Sequence, residues 1–506
     1  MDNRGNTILM RKGKFLLKRA KATQSVEDWK QVKDTRNKIN YSIKKAKQIH
    51  FKSSLAENRK NPKKLWQILK TLSGNANDPI RVKEILINQT LLTKNEEIAD
   101  TLNQNFANMA SKLIDIDNPI QPDLPLYNDS SCDIPDITIS EVEQLIKDIP
   151  LIKATGPDKI SVKVLKVAAS VISPSLAKLF NLCLNTETFP RIWKTAKVIP
   201  LYKDGEKADP DNYRPISILP ILSKIIERHI HNFLTEELQA KNLIYHLQSG
   251  FRKSYSTETA LIKVVDQLLM GLDKDKVSGL LFGDFRKAFD LVNHQLLLKK
   301  LQSYGLSEKA IKWFQSYLLD RHQYVAVNGV TSSMTSIKCG LPQGTVLGPL
   351  LFILFINDLP KSIINSSTDI FADDTTLTKS SHYSDVSILR RNLQEDVSRL
   401  NIWYNKNSMV LSHTKTKTML VTGKRLGKKL NKEDKSINIY LNDKQIEQVS
   451  SQKLLGIIID DKVTFTKHID KLSCKLAQRI ALLKNIRPYL PLKERIAYYN
   501  ATVKSV

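Results

Sequence analysis

Two neighbouring carboxylates, Asp373 and Asp374, constrain this chain more than any other feature. Residues 369–377 read Asp-Ile-Phe-Ala-Asp-Asp-Thr-Thr-Leu. Ile370 and Phe371 end one apolar strand, and Thr375, Thr376 and Leu377 begin the next, so the pair falls at a tight turn, where Asp is at home. Adjacent carboxylates repel one another unless a cation neutralises them. A divalent ion with hard oxygen ligands does so, and Mg²⁺ takes one or two carboxylates plus substrate phosphates. Alone, such a pair is usually a solvated turn. A second strand-like run, 277–285, carries Asp284 at its end, and the residues after it, 286–290, are expected to open a helix. Asp284 and Asp373 can share ions only if their strands lie side by side.

A chain of 506 residues can bury a large core and should divide into two or more domains. Its formal net charge of +27, from 78 basic and 51 acidic residues, favours a polyanionic partner, with nucleic acid the usual one. Cys132, Cys183, Cys339 and Cys474 are far apart and form no C-x-x-C pair, which suggests neither a zinc site nor a disulfide framework and suits a reducing compartment. The N-terminus does not read as a secretory signal, and the longest apolar run, 350–356, is too short to cross a bilayer. The expectation is an intracellular protein, nuclear or cytoplasmic, with no membrane partner.

Residues 1–75 read as a basic helical extension. The stretches 11–21 and 36–52 each hold six cations and no acid, and Ile39, Ile43, Ala46 and Ile49 recur at helical spacing. A solvated helical face and a nucleic-acid contact remain equally open there. A further helix should end at Ser73-Gly74. Residues 76–136 read as an irregular connector, marked by Pro119, Pro122, Pro125 and Pro135. Ser140 and Glu143 suggest a capping box. Pro200 marks an edge in the strand 194–202, and Asn328-Gly329 a hairpin. Residues 423–435 look like a basic loop.

Lys-Ala-Thr-Gly-Pro-Asp-Lys-Ile (153–160), the run 212–220, Gln-Ser-Gly-Phe-Arg-Lys-Ser-Tyr-Ser-Thr (248–257), the run 284–294, Gly-Leu-Pro-Gln-Gly-Thr-Val-Leu-Gly-Pro (340–349), Phe-Ala-Asp-Asp (371–374) and Lys-Leu-Leu-Gly-Ile-Ile-Ile-Asp (453–460) follow in order along the chain. Together they resemble the reverse transcriptase domain of non-LTR (LINE-like) retrotransposons over roughly residues 140–470. The resemblance implies an α+β right-hand polymerase. Residues 137–465 would form helical fingers and an antiparallel palm sheet backed by helices, and 466–506 the start of a helical thumb. It implies an RNA-directed DNA polymerase that takes an RNA template, a DNA primer, dNTPs and Mg²⁺, with Mn²⁺ as the alternative ion.

The same resemblance assigns roles. Asp284 and Asp373 would bridge metal ions, with Asp374 weaker and the Phe285 carbonyl a further ligand. Lys203 and Arg214 would meet the triphosphate, although Arg214 could instead brace its loop through an ion pair. Gln343 and Gly344 would face the incoming nucleotide, or Gln343 could merely cap a helix. Phe289 would exclude a 2′-hydroxyl, or serve as a core residue. Lys153, Arg252 and Lys253 would meet template, or lie in ordinary loops. Three residues depart from the family pattern. Gly283 stands where a bulky apolar residue is usual and could loosen its strand; Phe371 and Thr345 are milder changes. The ends lack a matching endonuclease, a full thumb and a cysteine-rich segment, which suggests a fragment or decayed copy. A group II intron-type maturase and a catalytically dead nucleic-acid-binding relic are the competing readings.

Overall fold

In the computed structural model the described residues are 4–58, 61–72, 81–115, 124, 127 and 131–505. Pro119, Pro122, Pro125 and the Ser73-Gly74 stop lie outside them. The chain forms two compact units, one of Met1–Ile80 with Thr466–Val506, the other of Arg81–Phe465.

In the first unit, α1 (Arg4–Thr23) and α2 (Val26–Glu57) form a helical hairpin, followed by α3 (Pro62–Leu72). Arg19 Nε donates to Asp28 Oδ1 at 2.9 Å across the hairpin. Leu55 and Leu69 share a core with Ile486, Leu490 and Tyr498 of the C-terminal helices. The two ends of the chain, which read as separate segments in sequence, thus bury one apolar cluster together.

The second unit begins with the hairpin β1 (Ile85–Ile87) and β2 (Thr90–Leu92) and the helix α4 (Asn95–Ala107). This stretch was expected to be irregular. Ile98, Ala99, Leu102 and Phe106 give α4 an apolar stripe, and the stripe packs on a sheet. Next come α5 (Ile139–Asp148) and α6 (Val162–Asn185). The cap of α5 is Thr138, whose hydroxyl accepts from Glu141 N at 3.2 Å, rather than Ser140. The 24-residue α6 is long and apolar enough to cross a membrane by length and composition. One side of it, with Leu165, Ala169, Ala177 and Phe180, is buried in the core.

The sheet under α4 is built from β3 (Thr195–Tyr202) and β4 (Tyr213–Ile218) and, after α7 (Ile221–Ala240), α8 (Thr257–Asp273), β5 (Lys276–Gly283), α9 (His294–Ser303) and α10 (Glu308–Leu318), from β6 (Arg321–Val327), β7 (Val330–Thr331) and β8 (Thr335–Ile337). Its order is β4-β3-β6-β7, with β8 also on β6. β3 is therefore internal. At Pro200 it pairs only with Pro215 of β4, because its parallel pairing with β6 ends at Val198. A missing N–H is tolerated there.

The other main sheet follows α11 (Gly348–Ile356) and comprises β9 (Ser367–Phe371), β10 (Asp374–His382) and, beyond α12 (Val386–Lys406), β11 (Lys417–Val421). Its order is β11-β5-β10-β9, antiparallel throughout. β5 is buried from Val277 to Gly283 because both faces are covered. Alternation sends Val277 and Leu281 to the core that includes Leu389 and Leu393 of α12, and Leu280 and Phe282 to the core with Val264 and Leu268 of α8. The fold is α+β. Residues 423–435 are less open than expected, since Leu426 and Leu430 are buried.

Candidate active site

β5 and β10 run antiparallel, with Thr375 opposite Gly283. Asp374 and Asp284 are the next residues beyond this last pair, and their charges act on one another. Asp373 occupies the turn between β9 and β10, after Ala372, whose φ is +57°. Asp284 ends a buried strand and is itself half-buried, while Asp373 and Asp374 are exposed. Its backbone is also fixed on the other side: Ser412 N donates to Asp284 O at 2.8 Å, and Arg286 N to Val410 O at 2.8 Å.

The three carboxylates feel one another. Burial raises the Asp284 carboxyl above its ordinary range, Lys415 and Lys203 pull it back, and Asp373 pushes it up. Although open to solvent at its tip, Asp374 is raised to about 6, first by desolvation and then by the Asp373 and Asp284 charges. Among the described residues, no three His, Cys, Asp or Glu side chains stand close enough together to hold a metal ion. The donor chemistry nonetheless suits a hard divalent cation: three carboxylates and the Phe285 carbonyl, which accepts no hydrogen bond among the described residues. A cation would favour the charged forms that burial, first, and the neighbouring carboxylates, second, disfavour at Asp284 and Asp374.

Gly283 does not loosen its strand. The space beside it is filled by Tyr404, whose hydroxyl would lie 3.6 Å from a Cβ added at 283, and by Leu411. Tyr404 is 1% exposed, and its ring meets Phe285 edge-on at 4.8 Å. A tyrosine from α12 thus does the packing that a bulky residue at 283 would do.

The residues after Asp284 differ from the expected helix. Lys287 adopts φ +52° and starts a short 3-10 turn, Ala288–Leu291; α9 begins only at His294, where the Asn293 side chain accepts from Leu296 N at 3.1 Å. The reason is the loop 340–344, which docks on this turn. Leu341 N donates to Phe289 O at 2.8 Å and Gly340 N to Val292 O at 2.9 Å. Gly340, at φ +89°, lies so close that a Cβ would meet Asp290 O at 2.7 Å. Gln343 Nε2 donates to Asp290 Oδ1 at 3.2 Å. Burial raises Asp290 to about 6, against Lys287 and the Gln343 hydrogen bond, which lower it.

Gln343 therefore bonds a carboxylate and does not cap a helix through its side chain; Thr345 Oγ1 accepts from Gly348 N at 3.0 Å instead. Gly344 has φ +128°, and a Cβ there would lie 2.3 Å from Ser217 O. The room that Gly344 leaves is taken by β4. Phe289 is half-buried, stacked on Phe352 at 4.6 Å and met edge-on by Phe251 at 6.1 Å.

Lys203 and Arg214 stand exposed on the β3–β4 hairpin. Among the described residues Arg214 has no ion-pair or hydrogen-bond partner for its guanidinium. Lys203 is close enough to pull on the charges of both Asp284 and Asp374. The hairpin is tethered at its tip: Asn105 Nδ2 donates to Asp211 Oδ1 at 3.0 Å, and Lys287 Nζ to Asp211 O at 2.9 Å. Two cations of this site carried no sequence signal. Lys415 acts on the charge of Asp284, and Lys287, which belonged to an expected helix, lies within electrostatic reach of Lys203 and Lys415.

Arg252 is half-buried and spends its guanidinium locally. Its Nη1 donates to Tyr245 O at 3.2 Å and Gln248 O at 3.0 Å, and it stacks over Tyr255 at 4.3 Å. Lys253 and Lys153 are exposed; no described contact joins Lys153 to the carboxylates.

A profile of the reverse transcriptase (RNA-dependent DNA polymerase) family matches residues 203–459, half of the chain, and spans every element of this carboxylate site. The chain belongs to the reverse transcriptase family. Among its relatives, the RNA-directed DNA polymerase from mobile element jockey of Drosophila melanogaster is 30% identical over 436 residues, covering 82% of this chain and 45% of that protein. The probable RNA-directed DNA polymerase from transposon BS, also of Drosophila melanogaster, is 29% identical over 465 residues, covering 86% of this chain and 48% of that protein. The retrovirus-related Pol polyprotein from type-1 retrotransposable element R2 of Popillia japonica is 26% identical over 171 residues, or 34% of this chain and 24% of that protein. The expected likeness to non-LTR retrotransposon enzymes is borne out. The chain spans about half the length of the jockey and BS relatives that it matches.

Proposed function

We propose that the chain is the polymerase core of a non-LTR (LINE-like) reverse transcriptase, adding dNTPs to a DNA primer 3′-hydroxyl along an RNA template. The observation that supports this is the β5–β10 pairing, whose last pair, Thr375 and Gly283, directly adjoins Asp374 and Asp284, with Asp373 in the turn before β10. Asp284 and Asp373, with Asp374 and the Phe285 carbonyl, would hold Mg²⁺ or Mn²⁺, which supplies Lewis-acid stabilisation of the attacking and leaving oxygens.

The remaining roles belong to the chain's own residues. Lys203, Lys415 and Lys287 offer cations to a polyphosphate, and Arg214 offers a planar fork of donors suited to bidentate contact. Gln343 and Gly344 form a docked floor beside the turn that carries Phe289. The Phe289 ring, held by Phe352 and Phe251, walls the position of the sugar and disfavours a 2′-hydroxyl. Lys153 and Lys253 remain for the template phosphates, and Arg252 shapes the loop that presents Lys253. In right-hand terms, the β5–β9–β10–β11 sheet is the palm, α5–α8 with the β3–β4 hairpin the fingers, and Thr466–Val506 the start of the thumb. The four cysteines are free, as suits a reducing, intracellular setting.

A second reading, a nucleic-acid-binding relic, would keep this fold without the chemistry. Primer extension with RNA template, annealed DNA primer, dNTPs and Mg²⁺ decides between them. Extension by the wild type, and none by Asp373→Ala/Asp374→Ala, is the expected result. Binding of primer–template without extension would establish the relic.

A further inference from the structure

Between α7 and α8 the chain runs alongside β9, the outer strand of the carboxylate sheet. Gln248 forms an isolated parallel bridge with Ile370. Ser249 N donates to Ile370 O at 2.8 Å, and Ile370 N to Leu247 O at 3.1 Å. Gln248 is 2% exposed, although it is a polar residue in a loop. Its Oε1 accepts from Gly250 N at 2.8 Å and from Ala372 N at 3.1 Å.

Ala372 is the residue before Asp373. It is buried and holds φ +57°, a conformation uncommon for a residue with a Cβ. Gly250 presses against it so closely that a Cβ at 250 would lie 2.2 Å from Ala372 N. One carbonyl oxygen thus satisfies the buried N–H of the strained residue and that of the glycine packed on it. Without that oxygen Ala372 N would be buried and unpaired, and the turn would relax toward negative φ. Asp373 would then leave its place beside Asp284.

We propose that Gln248 is a positioning residue for Asp373, a buried carboxamide that fixes the left-handed residue before the carboxylate. The role rests on the polymerase function proposed above. Gln248 touches no substrate; it acts through the backbone. A neutral amide is the apt group, because a carboxylate would accept the same two bonds but bring a further negative charge toward Asp373 and Asp374.

The test uses the full chain and two variants. Gln248→Met keeps the length and removes the acceptor, whereas Gln248→Glu keeps the acceptor. Amide hydrogen exchange of the peptide 370–376 reads the turn without requiring activity. Steady-state extension of one nucleotide reads kcat separately from the dNTP KM, and primer–template affinity is measured alongside. For Gln248→Met we expect exchange of that peptide to be at least tenfold faster and kcat to fall at least thirtyfold. The dNTP KM and the primer–template affinity should stay within about twofold. Gln248→Glu should keep exchange within threefold of wild type and recover most of kcat.

Unchanged exchange or unchanged kcat in Gln248→Met overturns the proposal. So does a loss of primer–template affinity in step with kcat, which would make Gln248 a nucleic-acid contact. If Gln248→Met does not fold, a folded Gln248→Glu with fast exchange overturns it equally. If the wild type does not extend a primer, the polymerase reading fails, and the exchange comparison still decides whether Gln248 holds the turn.

Discussion

Asp284, Asp373 and Asp374 grow out of paired strand ends over a buried sheet, whereas Lys203 and Arg214 stand on an exposed hairpin. The difference follows from sign. Like charges brought together raise one another's energy, so a scaffold must hold them, here through β-pairing, the Ser412 and Val410 backbone bonds, and packing from Tyr404. On the proposed function the cations need only be near an incoming polyanion, because its charge orders them. The acidic side should therefore be intolerant of change, and the basic side graded.

Asp373→Ala tests the intolerant side most severely. Extension should fall by at least about 10²–10³-fold, the cost of removing one group that stabilises transition-state charge, while thermal stability changes little. Gly344→Ala tests the joint between the two sides. Its Cβ would overlap Ser217 O at 2.3 Å at a φ of +128°. A loss of about 2–4 kcal/mol in unfolding free energy is expected, readable by denaturant titration, together with a raised dNTP KM.

Asp290→Asn gives a pH signature. Its folded-state carboxyl, near 6, lies above the ordinary 3.8, so the folded chain holds that proton more tightly than the unfolded chain. Ionising it costs stability, fully above about pH 6 and not at all below about pH 4. Asp290→Asn should therefore be more stable than wild type by about 1–3 kcal/mol at pH 8, and the advantage should disappear as the pH falls to 4. Melting temperature against pH measures it; an advantage constant with pH would contradict the assignment.

Arg214→Ala tests the graded side. The dNTP KM should rise about tenfold, the worth of one charge-assisted hydrogen bond, with no change in melting temperature. A fall in stability instead would mean that Arg214 braces its hairpin. Gly283→Ala is the smallest change: its Cβ meets only ordinary contacts at 3.4–3.6 Å. It should be neutral or stabilising by about 0.4–1 kcal/mol, with extension retained.

The acidic half of the site was legible because its signals are local. Alternation marked the strands, an Asp pair marked the turn, and the antiparallel register did the rest. The parts that were not legible depend on contacts distant in sequence. Lys287 looked helical until loop 340–344 docked on it and forced a 3-10 turn. Helix α4 was hidden because its stripe has meaning only against a sheet whose strands, from Thr195 to Ile337, come much later in the chain. Arg252 had the right charge for template but is committed to the Tyr245 and Gln248 carbonyls, and no local pattern shows where a guanidinium will turn. Gly283 read as a defect because the residue that fills its space, Tyr404, belongs to another helix.

On the proposed function Asp284 and Asp373, distant in sequence, hold the same ions. Binding of Mn²⁺ to the folded chain, followed by electron paramagnetic resonance, tests it directly. Asp284→Asn and Asp373→Asn should each weaken the binding severalfold or more, and the double variant should do little worse than either single one, the result expected of carboxylates that share ions. Binding unchanged by either substitution, or two independent losses that add in full, would contradict a shared site.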